Sequence, residues 1–554
     1  MFQPTRAPQV SIFNPLETAT QQAKKAVEES RARLVGDLVY PNVDEKRFAG
    51  LFSDVGSRPN ISIRQYVSAL VLKRMYRLPD ETMLEFLRSG AMNFQYALHT
   101  LDKEEQPLSA SSLRRFRRKV EAYNKEHHCD LIKDEFTRIS KKLAVDMGVL
   151  HTDPSTGETE EQAIVVRMDS MEIEAHAKAM TRIEILYMTV VIMIRYLLKK
   201  EYASIIPTEL GHYLQDGDHN RVMYYRVSED KKAGIQDSRV NETIQEMVLL
   251  QKALSENFTQ KFLMEIAEYK VFLRVLEEQT MFDEHGNRIP KRKEDISADS
   301  VQNPFDETVT YRYKHGQHHG FVLNVGEACD DKGNGIIIDA AVCPNTKSDQ
   351  SMLEEYLNGL PDNGPKQTMP VDGAYYTEEL EKLAESKGVT LQPTALTGVT
   401  PDDIIGDFKL NEEGTSVLEC PDGKIPVANK HNPNNGQITA TMPENCCANC
   451  PHKDQCKAKI NIKKQKSTVK VTGKMVARAK QARKFSTEEG KANANRRNGV
   501  EGIMSVMRRK YGLDNIPTFG IERIKPWIWT SLLSYNLVKY QKYDRTRQKQ
   551  LCLI

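Results

Sequence analysis

Apolar residues recur at helical spacing between residues 44 and 145, and this pattern predicts a bundle of short helices. In the third helix, opened by Ser111 or Ser112, Leu113, Phe116 and Val120 share one face. The opposite side of that helix carries a basic run, which comprises Arg114, Arg115, Arg117, Arg118 and Lys119. Short helices that end in a basic one are typical of a helix-turn-helix-like DNA reader. A helical bundle with a solvated basic face explains the pattern equally well.

The pattern changes after residue 160 to short β-branched runs that alternate with helical segments. Strands are predicted at 164–168, 319–326, 335–342, 368–371 and 389–392, with helices at 349–359 and 377–386. The two strands at 319–326 and 335–342 form a hairpin around a glycine-rich turn. Residues 170 to 300 are mostly helical, with long helices at 182–202 and 242–278. This order predicts a mixed α/β sheet with helices on its faces.

Two aspartates stand where predicted strands finish, Asp169 after Ile164–Met168 and Asp372 after Val371. Ligand chemistry in α/β sheets gathers at strand ends, although an aspartate there also serves as a turn or cap residue. A third acidic candidate lies in the stretch Arg497 to Arg508. On a continuous helix, Arg497, Glu501 and Arg508 form a charged stripe beside an apolar one of Val500, Ile503, Met504 and Met507. Such a stripe could hold a cation and phosphates, or it could be a solvated surface.

Charge is strongly segregated along the 554 residues, although the formal net charge is only +2. Residues 457–484 contain eleven Lys or Arg and no acid, whereas 401–422 is acidic. This asymmetry indicates a polyanionic partner, and Lys463, Lys464 and Lys466 are candidate contacts to a nucleic-acid backbone. We expect no secretory signal and no membrane span, since the most apolar run, Ile185 to Ile194, is too short to cross a bilayer.

Five of the nine cysteines lie between residues 420 and 456, in a chain without an export signal. Clustered cysteines in a reducing compartment favour metal ligation over disulfides. Cys420, Cys447, Cys450 and Cys456 are predicted to hold a structural zinc ion, with Cys446 as an alternative to Cys447. An iron–sulfur cluster is the alternative cofactor, because four thiolates serve it as well. Unligated thiols remain the third possibility.

Several motifs together resemble one family, the DDE transposases of bacterial insertion sequences. The match is nearest to the IS4/IS5-like superfamily and its IS1182 group. The motifs are F-N-P-L-E at 13–17, S-S-L-R-R-F-R at 111–117, V-V-R-M-D-S at 165–170, H-H-G-F at 318–321, P-V-D-G-A-Y at 370–375, R-N-G-V-E at 497–501 and Y-N-L-V-K at 535–539. Two positions depart from the IS4-type signature. Ala494 stands where that signature has Tyr, and Arg508 stands where it has Lys.

The resemblance implies a ribonuclease-H-like catalytic core, a mixed five-stranded sheet with flanking helices, in an α/β protein. It implies that Asp169, Asp372 and Glu501 are catalytic and hold two Mg²⁺ ions, for which Mn²⁺ could substitute. Asp169 would bridge the two ions, and Arg497 and Arg508 would clamp phosphates. The reaction would be hydrolysis at the ends of the element, followed by attack of the freed 3′-OH on target DNA. Two other functions remain open, a domesticated DNA-binding protein without catalysis and a nuclease that cuts without joining.

The resemblance and the patterns together suggest five regions. They are an N-terminal arm (1–43), a helical DNA-binding domain (44–150), a catalytic core (160–400 and 485–545), a helical insertion within it (170–300) and a cysteine-rich, basic insertion (401–484). The expected partners are double-stranded DNA, both the terminal inverted repeats and the target, and a second copy of the chain. The expected location is the cytoplasm, on the bacterial nucleoid.

Overall fold

The computed structural model describes residues 2–5, 15–53, 60–150, 164–214, 229–313, 316–362, 364–394, 400–443, 446–461 and 466–551. Its first part is helical. The helices are α1 (Pro15–Thr18), α2 (Gln21–Glu29), α3 (Ala32–Leu34), α4 (Ile63–Tyr76), α5 (Asp80–Arg88), α6 (Met92–Ala97), α7 (Ala110–His127) and α8 (Leu131–Asp146). The basic helix α7 begins two residues before the predicted cap. Ser109 is its N-cap because Ser109 and Ser112 hydrogen-bond each other's backbone in a capping box.

A six-stranded mixed sheet follows, one strand more than expected. Its strands are β1 (Ile164–Glu174), β4 (Thr310–Tyr313), β5 (Gln317–Cys329), β6 (Gly335–Pro344), β7 (Gln367–Val371) and β8 (Val389–Pro393). The five long strands lie in the order β6-β5-β1-β7-β8, and the short β4 pairs with the start of β5. β5 runs antiparallel to β1 and β6, whereas β7 runs parallel to β1 and β8. Helices α13 (Asp349–Asn358) and α14 (Glu378–Ser386) connect the last three strands.

Asp169 is not at the end of its strand, as the sequence had suggested. β1 continues to Glu174, because its antiparallel pairing with β5 extends from Val165 to that residue. The parallel partner β7 is shorter and ends at Val371. Ile164 and Val165 pair with Gln367 and Thr368, so the same register brings Asp169 level with Asp372. Asp169 therefore stands in mid-strand, at the level where the neighbouring strand stops.

Between β1 and β4 the chain forms a helical segment with its own hydrophobic core, which extends from Ile183 to Val301. Its elements are α9 (Arg182–Lys199), α10 (Glu229–Asn257), α11 (Gln260–Leu263), α12 (Ala267–Gln279), β2 (Thr280–Phe282) and β3 (Arg288–Pro290). The single helix predicted over 242–278 is thus three helices. Thr259 starts a new one by accepting a hydrogen bond from the backbone of Phe262.

The cysteine-rich region folds around a third, small core. It contains β9 (Lys409–Leu410), β10 (Val417–Glu419), β11 (Ala428–Asn432), β12 (Gln437–Met442), β13 (Lys459–Asn461) and β14 (Lys466–Thr472). The four strands β11 to β14 form one antiparallel sheet in the order β11-β12-β14-β13. The chain then continues into α15 (Gly473–Ser486), α16 (Glu488–Asn498), α17 (Glu501–Tyr511) and α18 (Ile521–Leu551).

Helix α18 joins the N-terminal helices to the sheet in one continuous core. Its Asn536 is fully buried; the amide donates to Ser140 Oγ at 2.9 Å and to the carbonyl of Ile337 at 2.8 Å. The same side chain accepts a hydrogen bond from the backbone N–H of Ile337 at 3.0 Å. Asn536 thereby supplies hydrogen-bond partners to the N–H and C=O of Ile337, which would otherwise be unpaired at the edge of the sheet. Among the described residues, no helix is long and apolar enough to cross a membrane.

We predict that Asn536→Ala lowers the free energy of unfolding by roughly 3 kcal/mol, because it leaves the buried N–H and C=O of Ile337 unpaired. Denaturant titration followed by tryptophan fluorescence checks this, since both tryptophans of the chain, Trp527 and Trp529, lie on α18. The matched control is Lys542→Ala, an exposed position on the same helix. An equal effect of the two changes would contradict the assigned role of Asn536.

Candidate active site

Three carboxylates from distant parts of the chain converge on the guanidinium of Arg497. Its Nη2 lies 3.7 Å from Asp169 Oδ2 and 3.4 Å from Asp372 Oδ2, and its Nη1 lies 3.7 Å from Glu501 Oε1. Asp169 lies in β1, Asp372 directly follows β7, Glu501 begins α17, and Arg497 lies in the last turn of α16. The residues that the sequence singled out therefore meet in one place.

Exposure to solvent rises across these acids, from 17% of the Asp169 side chain to 38% for Asp372 and 61% for Glu501. Burial raises the pKa of Asp169, and the nearby charges of Asp372 and Glu501 raise it further. A hydrogen bond from the backbone of Ser170 and the charge of Arg497 act in the opposite direction. One guanidinium thus faces three acids, and the site carries an excess of negative charge.

The stretch 497–508 is not one continuous helix, contrary to the prediction. α16 ends at Asn498 and α17 begins at Glu501. In an unbroken helix the carbonyl of Arg496 would accept from the N–H of Val500, but here it accepts from Arg167 Nη1 at 2.7 Å. The N–H of Val500 turns to the carbonyl of Arg497 instead, at 3.0 Å. A side chain that enters the ladder of backbone hydrogen bonds breaks a helix in this way.

Arg167 is a residue that the sequence did not single out. It stands two positions before Asp169, and its side chain is only 8% exposed. Its Nε donates to Glu327 Oε2 at 2.5 Å, and Glu327 is its direct neighbour across the β1–β5 ladder. Arg167 therefore links the strand of Asp169 to the junction between the helices of Arg497 and Glu501.

Gly499 makes room for this arginine. A Cβ atom at position 499 would lie 1.8 Å from Arg167 Nη1 and 2.5 Å from its Cζ, far inside van der Waals contact. Gly502, three residues later, has nothing within 4 Å of the equivalent point. The glycine of R-N-G-V-E is thus required by a close approach rather than by an unusual backbone conformation.

The apolar stripe of α17 is confirmed. Val500, Ile503, Met504 and Met507 are all buried. Behind the site, Ser170 Oγ donates to Asp349 Oδ1 at 2.8 Å, and the buried Tyr375 hydroxyl donates to Asn324 Oδ1 at 2.9 Å. These two hydrogen bonds connect the segments that follow both aspartates to β5 and α13.

The other basic residues named from the sequence lie apart from the carboxylates. Arg508 Nη2 donates to the carbonyl of Glu172 at 3.3 Å, and its Nε lies 3.6 Å from Asp514. On α7, Arg114, Arg115 and Arg118 are exposed, whereas Arg117 is half-buried and forms an ion pair with Asp80. Arg117 thus has a partner within the protein, unlike the free arginine that the sequence suggested. Lys466 is exposed at the start of β14, and Lys463 and Lys464 lie outside the described residues.

Cys420, Cys447, Cys450 and Cys456 line one small cavity of about 20 Å³, together with His452. Burial raises the pKa of Cys456 to about 11, and the neighbouring thiols of Cys450 and Cys420 contribute. The Sγ atoms of Cys446 and Cys447 are 3.8 Å apart. The described cysteines are all free thiols.

Neither cluster forms a ready metal site. Within the described ranges, no group of three or more His, Cys, Asp or Glu side chains is arranged to hold a metal ion. At the carboxylates, one oxygen atom of each acid lies 3.4 to 3.7 Å from the Arg497 guanidinium, which supplies positive charge there. Their chemistry nevertheless fits a divalent cation such as Mg²⁺, which prefers several hard oxygen ligands.

A large cleft lies beside Asp372. It has a volume of about 1360 Å³ and runs between Gly373, Tyr376 and Gln392 on the sheet side and the basic helix α15 on the other. Four cations of α15 and three acids line it; the cations are Lys474, Arg478, Lys480 and Lys484, and the acids are Glu379, Glu381 and Glu489. A polyanion in this cleft would lie next to the end of β7.

We predict that Gly499→Ala destabilises the protein by about 1–3 kcal/mol, because the added methyl group displaces Arg167 and leaves buried hydrogen-bonding groups unpaired. Gly502→Ala should be neutral or stabilising, since alanine favours helix and meets no neighbour. Thermal unfolding of both variants measures the difference. Equal stability of the two would show that the close approach of Arg167 is not a constraint.

Comparison with known protein families gives two matches. Residues 419–541 match the family described as transposase DDE domain, a range that contains the four cysteines and Glu501. Residues 20–119 match the family described as transposase domain (DUF772) and include the first half of α7. No curated protein and no solved structure matches the chain. This pair of domains is typical of IS1182-family transposases and supports a DDE transposase of the insertion-sequence type.

Proposed function

We propose that this transposase binds the terminal inverted repeats of its insertion sequence, hydrolyses a phosphodiester bond at each end and joins the 3′-OH ends to target DNA. One observation carries the proposal. Asp169, Asp372 and Glu501, separated by more than a hundred residues in sequence, all lie within 3.7 Å of the Arg497 guanidinium. Such a convergence of acids is what metal-dependent phosphoryl transfer requires.

Asp169, Asp372 and Glu501 would hold the divalent cations, Mg²⁺ or Mn²⁺. Bound there, two such ions would activate the attacking oxygen and stabilise the leaving one. Arg497 neutralises the carboxylates in their absence and, once cations take over that charge, is free to bind a phosphate of the substrate. The buried Asp169 gains most from a cation, because burial already disfavours its charge.

The sheet around these residues is proposed to be a ribonuclease-H-like core. Support comes from the mixed sheet, in which β1 and β7 are adjacent and parallel and bring Asp169 level with Asp372. The helical segment between β1 and β4 and the cysteine-rich region would then be insertions into that core. Each has a separate hydrophobic core, which is consistent with this division.

DNA would lie in the cleft beside Asp372, where lysines of α15 face the end of β7. The exposed arginines of α7 would bind the backbone of the terminal repeats, and Lys463, Lys464 and Lys466 would extend the basic surface. Cleavage of two ends in concert would need at least a dimer. A catalytically silent DNA-binding protein is disfavoured, because all three carboxylates are present and converge.

We predict that Glu501→Gln lowers cutting by more than about 100-fold, because even changes behind a metal ligand cost 10–100-fold. Binding to the terminal repeat should stay within about 2-fold, since Glu501 repels phosphates rather than binding them. The assay uses a labelled terminal-repeat duplex, a supercoiled target plasmid and Mg²⁺. Glu256→Gln, at an exposed acid on α10 away from the cleft, is the matched control.

Three outcomes of this assay separate the candidate functions. Cut and joined products from the wild type, lost together in Glu501→Gln, support the proposal. Cutting without any joined product supports a nuclease. Repeat binding without nicking, in either metal, supports a silent DNA-binding protein and overturns the proposed catalysis.

The cavity that Cys420, Cys447, Cys450 and Cys456 line is proposed to hold a structural zinc ion, since thiolates are the usual ligands of such an ion. We predict about one zinc per chain in the purified protein, released in the double variant Cys450→Ser/Cys456→Ser. Elemental analysis measures this, with Cys129→Ser as the control. Iron together with visible absorbance would favour an iron–sulfur cluster instead. If the protein contains neither zinc nor iron, the thiols are unligated.

A further inference from the structure

A cavity of about 510 Å³ lies between the N-terminal helices α4 and α7 and the C-terminal helix α18. Its wall is mainly apolar, with Phe116, Pro526 and Trp527 among the lining residues. Arg74 also lines it, and Arg114 and Arg118 stand at the same cavity from α7. It is separate from the cleft beside Asp372, with which it shares no lining residue.

Arg74 is a largely buried cation for which the described residues supply no ion pair or hydrogen bond, although the charge of Asp80 partly opposes the effect of burial on its pKa. Only 8% of the residue is exposed, and burial lowers its pKa to about 9. Its guanidinium carbon stacks 3.2 Å from the centre of the Trp527 ring. Within the described part of the chain, no carboxylate or carbonyl forms an ion pair or hydrogen bond with this guanidinium. Burial of an unpaired guanidinium is strongly unfavourable, so a ligand that supplies the missing acceptors would be bound firmly.

The acids around the cavity already form ion pairs with other cations. Asp80 forms ion pairs with Lys73 and Arg117; burial alone would raise its pKa, but these two hydrogen-bond partners lower it to about 2. Glu121 pairs with Arg523 at 3.0 Å, and Glu522 pairs with Lys525 at 2.6 Å. Arg74, Arg114 and Arg118 are therefore left over as positive charges at one cavity.

A second side chain at this cavity, Trp527, also has a donor that lacks an acceptor. The Nε1–H of Trp527 is buried and has no hydrogen-bond partner among the described residues. Buried polar groups are nearly always hydrogen-bonded, so this unpaired donor, next to the stacked guanidinium of Arg74, needs an explanation. A ligand rich in acceptors and negative in charge would satisfy the guanidinium directly.

We propose that this cavity binds a phosphate group of the DNA backbone, with Arg74 as its main ligand and Arg114 and Arg118 at its mouth. A planar guanidinium matches phosphate oxygens in a bidentate geometry, and the apolar wall strengthens that pairing by excluding water. The inference rests on the proposed binding of DNA by α7 and adds a buried site that joins α4 and α7 to α18. Since α18 also packs against β6, a phosphate here would connect the N-terminal helices to the sheet that carries the carboxylates.

The test is Arg74→Met, which keeps the length of the side chain and removes its charge. We expect the melting temperature without DNA to rise, because an unpaired buried charge is removed. We expect the affinity for the terminal-repeat duplex to fall about 5- to 20-fold at moderate salt, and the slope of log K against log salt to decrease by about 0.9, the contribution of one phosphate. Arg195→Met, an exposed arginine of α9, should change neither quantity.

A double variant, Arg114→Ala/Arg118→Ala, separates this inference from the proposed function. An unchanged slope in Arg74→Met with a reduced slope in the double variant overturns the buried site and leaves DNA binding by α7 intact. Unchanged slopes in both overturn the α7 interface as well. If Arg74→Met fails to fold, Arg74→Gln takes its place.

A rise in melting temperature with inorganic phosphate at fixed ionic strength, present in the wild type and absent in Arg74→Met, supports the site. The same rise without any effect on DNA affinity would show that its ligand is free phosphate, which overturns the DNA assignment.

Discussion

The geometry of the carboxylate cluster depends on the position of the Arg167 guanidinium. Arg167 is held on one side by Glu327, its neighbour across the β1–β5 ladder, and on the other by the carbonyl of Arg496. That second hydrogen bond ends α16 and lets α17 start afresh at Glu501. Because Arg167 precedes Asp169 by two positions on the same strand, the placement of Glu501 relative to Asp169 is set by a rigid, buried contact. Without this contact, the position of an acid on α17 would not be fixed relative to β1.

Charge balance is the second constraint. Three carboxylates are gathered around one guanidinium, and the most buried of them, Asp169, has its pKa raised by burial and by its acidic neighbours. Such a cluster is unfavourable unless further positive charge is supplied. Arg497 meets part of that demand in the chain alone. The remainder creates an affinity for cations, which is the physical basis on which a metal-dependent reaction is proposed.

Much of the site could be predicted from local patterns. The buried stripe Val500, Ile503, Met504 and Met507 follows from helical spacing. The meeting of Asp169 with Asp372 was expected from the family resemblance, because it depends on the long-range parallel pairing of β1 with β7. The ion pair of Arg167 with Glu327 joins residues 160 positions apart, so no local pattern reports it.

The predictions that the structure corrects failed for one reason, which is contact between residues far apart in the sequence. The break between α16 and α17 comes from a side chain of another strand, and the pairing of Arg117 with Asp80 joins separate helices. The length of β1 was underestimated because antiparallel pairing with β5 extends it past Asp169. The glycine of R-N-G-V-E was a usable signal, since a glycine inside a helical pattern often marks the close approach of another group.

Hydrogen bonds link the two ends of the helical segment between β1 and β4. The side-chain amide of Asn303 donates to the carbonyl of Lys178 at 3.1 Å, and Arg182 Nε donates to Gln279 Oε1 at 2.8 Å. The start and the end of the segment are thus held together, and its apolar residues pack against one another in a separate core. Evolution could therefore lengthen, shorten or exchange this part without disturbing the strand register below it. The segment after β1 can therefore be large, because its apolar residues do not need the sheet in order to be buried.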